Sequence, residues 1–368
     1  MTSSSASSGR GSVGQADLGP AGVAELDRQD MLGAIAGLSR QVTQGYTAAR
    51  AGLAAAALSR PDGVVVCGMG GSAIGADLVL AATPELHLPA AVVRGYELPA
   101  WAGQGTLVVA VSCSGDTEET LACAEAAAAR GCPVVCVASG GRLAGLANER
   151  ESPLVRVPGG LQPRASLGFL ATAVLATLQA CGICRPRDAD IDETASVLRA
   201  GDEAFGIRRG EDGPGNEAKA LARRLHGRLA VVYGAGLAAP AARRWKTQVN
   251  ENAKAPAFWA ELPELDHNEL EGWASVPHMT AAAQVVLLED ELGAERLRRR
   301  AELTAADLSS RGVAVARVAS RGSSALARVF SLVQLGDYVS LYLALLYGVD
   351  PTPVSAIAGF KRRLADGG

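Results

Sequence analysis

Residues 63–80 read GVVVCGMGGSAIGADLVL. A short apolar run rich in valine meets a glycine loop and then a helical pattern, which describes a buried strand turning into a helix. The unit recurs. AAVVRG (90–95), TLVVAVS (106–112) and PVVCVAS (133–139) read as further buried strands, and TEETLACAEAAAARG between the last two reads as a helix closed by glycine. Upstream, residues 21–58 repeat apolar residues at helical spacing. The pattern restarts after the polar stretch RRGEDGPGNEAK (208–219), with RLAVVYGAG (228–236), helical APAARRWKTQVNENAK and strand AQVVLLED (283–290). A helix, the strand VAVARVAS and the long helical ALARVFSLVQLGDYVSLYLALLYG follow. Strands alternating with helices indicate parallel sheets covered on both faces. The expected fold is α/β, with two doubly wound, mainly parallel sheets packed together and ligands at the carboxyl ends of strands.

Length and composition agree with that reading. The 368 residues fit two domains of ordinary size, and 48 % are apolar, enough for a large core. The expected division is a disordered Ser/Gly-rich tail at 1–20, a first domain with a leading helix at 21–205, and a second domain with a C-terminal helix at 206–368. Net charge is −3 and no long basic run occurs, so no nucleic-acid partner is expected; RLRRR reads as a solvated helix face. No run of about 18 uninterrupted apolar residues exists, so no membrane span is expected. The N-terminus lacks the apolar core of a secretory signal. Seven cysteines, an odd number set mostly in apolar runs, suit a reducing, cytoplasmic setting. Cys181 and Cys184 form a lone C-x-x-C that reads as core, and the four histidines lack metal-ligand spacing, so no metal is expected.

The glycine loop alone fits a dinucleotide fingerprint through Gly68, Gly70 and Ala73, with Arg94 at the end of the next strand as a reader of an NADP 2′-phosphate. The next crossover argues against it. SCSGDTEET (112–120) crowds hydroxyls at the mouth of a strand, where the N–H groups of a helix N-terminus favour an anion. Ser112, Ser114 and Thr117 add uncharged donors, which suits a phosphate monoester. The bland alternative is a turn with a capping box, Asp116-x-x-Glu119.

GMGGSAIG followed by SCSGDTEET resembles the sugar isomerase (SIS) domain, whose loops hold the phosphate of a phosphosugar. QPRASLGF (162–169), RWKTQVNENAKAPAF (244–258), PELDHNELEGW (263–273) and DYVSLYLALLYGVDPTPV (337–354) narrow the likeness. Together they resemble the bifunctional phosphoglucose/phosphomannose isomerase family, in order and over nearly the whole chain beyond the tail. The resemblance implies two SIS domains in a homodimer acting on a hexose 6-phosphate without cofactor. It would interconvert glucose 6-phosphate, mannose 6-phosphate or both with fructose 6-phosphate through a cis-enediolate. Gly70, Gly71 and Ser72 would join the hydroxyl loop in holding the phosphate.

Aldose–ketose isomerisation needs a base between C2 and C1, a cation for the enediolate, and a group that opens the ring. By resemblance Glu251 is the base and Arg164 faces the enediolate, while His267 opens the pyranose ring, from a partner subunit if it acts in trans. Asp266 and Glu269, on either side of His267 in the sequence, are expected to orient its ring. Lys361 would touch ring oxygens, and Thr352 is the nearest counterpart of a threonine that sets specificity. The commoner loop of the family reads Ser-Tyr-Ser-Gly-Asn-Thr. Here Cys113 is expected to remove an aromatic wall and Asp116 to bring negative charge near the phosphate. Rival readings are a phosphosugar-binding regulator without turnover and an isomerase of another phosphosugar.

Overall fold

A computed structural model describes residues 17–209, 215–274 and 276–366. Two wholly parallel sheets form its frame. The first contains β1 (Gly63–Cys67), β2 (Ala90–Val93), β3 (Thr106–Val111), β4 (Val134–Ala138) and β5 (Leu154–Arg156), in the order β2-β1-β3-β4-β5. The second contains β6 (Leu229–Ala235), β7 (Ala257–Leu262), β8 (Ala283–Glu289) and β9 (Ala314–Ala319), in the order β7-β6-β8-β9. In register, Val66 pairs with Val92 on one side and Val109 on the other. Every residue of β1 and β3 is buried, which is why these strands carry unbroken apolar runs. β5 and β7 are edge strands that the sequence pattern does not announce. β7 reads AFWAEL, with Phe258 exposed, and lies between motifs better read for their polar residues.

In the first sheet the chain leaves β1 toward β2 and leaves β3 toward β4, on opposite sides. The order therefore reverses between β1 and β3, and the loops after these strands bound the crevice where doubly wound sheets take ligands. Those loops are GMGGS and SCSGDT. The N-terminal helical pattern is three helices, Pro20–Leu26, Met31–Ala36 and Leu38–Leu53, broken where Asp27 and Asp30 cap the second. Leu18 is already buried against the core, so packing begins inside the stretch read as tail; residues 1–16 lie outside the described residues.

One apolar cluster spans both sheets and the helices between them, Leu167–Ala180, Ala239–Asn252 and Ala325–Leu346. The last of these, at 22 residues, is long and apolar enough to cross a membrane, but 94 % of its apolar window is buried inside the protein. All seven cysteines are buried and free. Trp245 lies against the long helix and donates from Nε1 to the Leu332 carbonyl at 2.8 Å. A Cβ at Gly336 would stand 2.2 Å from that Nε1. Gly336→Ala should therefore push the indole off the helix and cost about 1–3 kcal/mol. Equilibrium urea unfolding checks this, and an unchanged midpoint would show that the indole has room to move.

Candidate active site

Gly70 opens the Gly70–Ala81 helix at φ +49°, a left-handed conformation. Gly71 lies under the 3₁₀ turn Pro163–Ala165, where a Cβ would come within 2.7 Å of the Pro163 carbonyl oxygen. That contact sets the Arg164 turn directly on the glycine loop. Ser72 is buried, and its hydroxyl makes no hydrogen bond among the described residues.

The hydroxyl loop divides its labour. Ser112 Oγ accepts from the N–H groups of Gly115 (3.1 Å) and Thr117 (3.3 Å) and lies 2.8 Å from Thr117 Oγ1. With both lone pairs taken, Ser112 is left to donate to Thr117, whose own proton then points elsewhere. Ser112, expected among the phosphate ligands, is fully buried and braces the loop here. Ser114 is exposed and accepts only from the Asp116 N–H, at 3.2 Å. Thr117 is the N-cap of the Glu118–Ala129 helix and makes no side-chain cap there. The free donors of this loop are therefore the hydroxyls of Ser114 and Thr117 and the N–H groups of the first helical turn.

Three further residues take definite places. Asp116 forms no capping box with Glu119; its Oδ1 accepts from the Arg142 N–H at 2.9 Å, at the start of the Gly141–Glu149 helix. The N-terminus of that second helix offsets part of the carboxylate's charge. Cys113 is buried in the core with its Sγ 3.6 Å from Ser166 Oγ, so it does not line the crevice in place of an aromatic ring. Arg94, the candidate reader of a 2′-phosphate, is paired with Asp77, which also takes Arg243 at 3.4 Å.

Arg164 is almost completely buried and its bonds are well specified. Nε donates to Asn252 Oδ1 at 2.7 Å, Nη2 to the carbonyls of Pro351 (3.0 Å) and Thr352 (2.7 Å), and Nη1 to Glu251 Oε2 at 3.4 Å. Four of the five guanidinium N–H groups are thereby engaged, leaving one on Nη1 beside the Glu251 carboxylate. Burial lowers the pKa of Arg164 and the Glu251 charge raises it. Glu251 is the penultimate residue of the Ala239–Asn252 helix and stays part exposed. Beneath the pair, Arg244 holds Asp337 in two bonds and donates from Nη2 to the Arg164 carbonyl at 2.9 Å. A half-exposed carboxylate beside a fixed, buried guanidinium can move a proton next to a developing oxyanion.

Two curated relatives match most of the chain. Both are named "Bifunctional phosphoglucose/phosphomannose isomerase". The one from Caldicellulosiruptor bescii is 39 % identical over 83 % of this chain and 90 % of its own length. The one from Aquifex aeolicus is 37 % identical over 82 % and 90 %. The chain belongs to this family. Residues 215–364 also match the family described as "Bacterial phospho-glucose isomerase C-terminal SIS domain". A hypothetical protein of Thermus thermophilus superimposes with a TM-score of 0.73 over 95 % of this chain and 93 % of its own, at 18 % identity, a likeness of fold.

In this member of the phosphoglucose/phosphomannose isomerase family, the structure joins Arg164, Glu251 and the backbone of Thr352, and places the glycine loop directly under the Arg164 turn. It does not join His267 or Lys361 to them. His267 ends the 3₁₀ turn Glu264–His267, exposed and with no hydrogen bond or ion pair among the described residues. Its expected orienting acids are committed elsewhere. Asp266 takes Arg300 (2.7 Å) and Thr304 (2.9 Å), and Glu269 accepts from the Tyr233 hydroxyl at 2.7 Å. Lys361 is exposed on the Ser355–Asp366 helix. The Thr352 hydroxyl oxygen is buried without a hydrogen-bond partner among the described residues, so its carbonyl, on Arg164, is its link to the site.

Sequence reasoning missed Asn252, Arg244, Gln248 and Asp337. A signal was present: Arg244, Gln248 and Asn252 fall four residues apart on one helix face, and a lone acid interrupts the apolar run around Asp337. From the placement of Asp116 we expect Asp116→Ala to cost about 1 kcal/mol of stability through the lost cap. Inorganic phosphate affinity, measured by calorimetry, should stay within about twofold, and a tenfold gain would show that the carboxylate faces the anion.

Proposed function

We propose that this chain interconverts fructose 6-phosphate with glucose 6-phosphate, mannose 6-phosphate or both, through a cis-enediolate and without a metal. The observation that carries the reading is the Arg164–Glu251 pair, 3.4 Å apart beside the loops that end β1 and β3. The phosphate sits on the Gly70 and Gly71 backbone and the hydroxyls of Ser72, Ser114 and Thr117, with Ser112 holding that loop in shape. Glu251 removes the C2 proton and returns it at C1; one carboxylate oxygen serves both steps. Arg164 steadies the negative charge that develops on the enediolate oxygens, and as a guanidinium it stays charged throughout. Glucose and mannose 6-phosphates differ only at C2 and share this enediolate, so one base serves both. Thr352 bears on that choice through its hold on Arg164.

His267 opens the sugar ring and Lys361 meets ring oxygens. Both are exposed and make no side-chain bond among the described residues, which supports a homodimer in which His267 reaches the partner's site. The setting is the cytoplasm, in keeping with seven free thiols.

Incubation of fructose 6-phosphate with the protein in D₂O, with chelator, tests this by NMR. Glucose and mannose 6-phosphates deuterated at C2 are the expected products. Phosphosugar binding without exchange would leave a non-catalytic binding protein. Glu251→Gln should lower exchange about 10²–10⁴-fold without altering the melting temperature. Mixed dimers of Glu251→Gln and His267→Ala should regain activity, because one of the two shared sites is then intact; no recovery would place His267 in its own subunit's site or outside the mechanism.

A further inference from the structure

Lys254 holds a backbone conformation that its residue type disfavours. It follows Ala253, the C-cap of the Ala239–Asn252 helix, and its φ is +56°. Glycine is the usual occupant of that left-handed position, because a Cβ there crowds the following carbonyl oxygen. A lysine in its place calls for compensation by the side chain, and two bonds supply it. Nζ donates to the Glu251 carbonyl at 2.5 Å and to the Pro351 carbonyl at 3.0 Å. The first satisfies one of the carbonyls left open at a helix end. The second carbonyl is shared, for it also accepts from Nη2 of Arg164. One ammonium therefore ties the helix end that carries Glu251 to the turn that grips Arg164.

We propose that Lys254 is a positioning residue for proton transfer, clamping the backbone of Glu251 and Pro351 so that the Glu251 carboxylate is held in register with the Arg164 guanidinium. The proposal rests on the isomerase reading above. The charged groups facing the ammonium are Arg164, Asp350 and Glu251. Partial burial and then the Arg164 charge push its pKa down to about 8, so the clamp loses its charge at mildly alkaline pH while Arg164 keeps its own. A neutral amine still donates, but the charge-assisted part of each bond is gone.

Lys254→Gly separates this role from a structural one, because it relieves the strained backbone while removing the ammonium. The expected variant melts at or above the parent temperature, with kcat down about tenfold and KM within about twofold. In the parent, kcat should fall with an alkaline limb near the ammonium's pKa of about 8. Lys254→Arg should run faster than the glycine variant and carry the limb above about pH 9, since a guanidinium does not titrate there. Parental kcat in Lys254→Gly, an arginine variant no faster than the glycine one, or an unmoved limb would overturn the proposal alone. A parent protein that exchanges no deuterium would remove the isomerase reading, and this proposal with it.

Discussion

Arg244 donates from Nε and Nη2 to the two carboxylate oxygens of Asp337, 2.9 and 2.7 Å away, where neither side chain meets water. Gln248 adds a bond at 2.9 Å to the same carboxylate. A buried ion pair is a poor source of net stability, since desolvation offsets most of the attraction. Its geometry, however, is narrow, because a planar fork meets a planar carboxylate in one way. The remaining reach of Arg244, to the Arg164 carbonyl, passes that fixed geometry to the site. Burial pushes the Asp337 carboxyl up and Arg244 pulls it down; both its oxygens accept from cationic N–H groups, which is the arrangement of an ionised carboxylate.

From this pair the rest follows outward. Asn252 accepts from Arg164 and donates to Ser340 on the same long helix that bears Asp337, so one helix steadies Arg164 by two routes. Gly71 then lets the glycine loop approach the Arg164 turn, closing the distance between the proposed phosphate cradle and the proposed enediolate cation. The proposed phosphate loop and cation are thus held by backbone and buried polar contacts, with the proposed base part exposed beside them, which is the preorganisation that electrostatic catalysis requires.

Much of this was legible in the sequence. Buried parallel strands announce themselves by valine runs, and the alternation with helices gave the fold class. Two of the edge strands did not, because β5 is three residues long and β7 mixes exposed and buried positions. Arg164 and Glu251 were legible only through the resemblance of QPRAS and NENAK to the family's motifs, since each lies among polar neighbours that give no signal of their own. What stayed hidden was direction. A hydroxyl in a loop reads the same whether it faces a ligand or, like Ser112, its own backbone. Asp116 reads the same whether it caps the nearest helix or one that begins 25 residues later, and Cys113 the same whether it lines a crevice or the core. Side-chain direction at a strand end depends on tertiary neighbours that local pattern does not encode.

The partners of Arg164 come from distant parts of the chain, with Asn252 lying 88 positions later and Thr352 188. The full set of bonds to the guanidinium exists only once the segment around 350 has been made and docked. With Arg164 in its proposed role, reactivity toward sugar phosphates is among the last properties the molecule acquires, and lifting the final turn away removes two of the guanidinium's bonds while leaving both sheets whole.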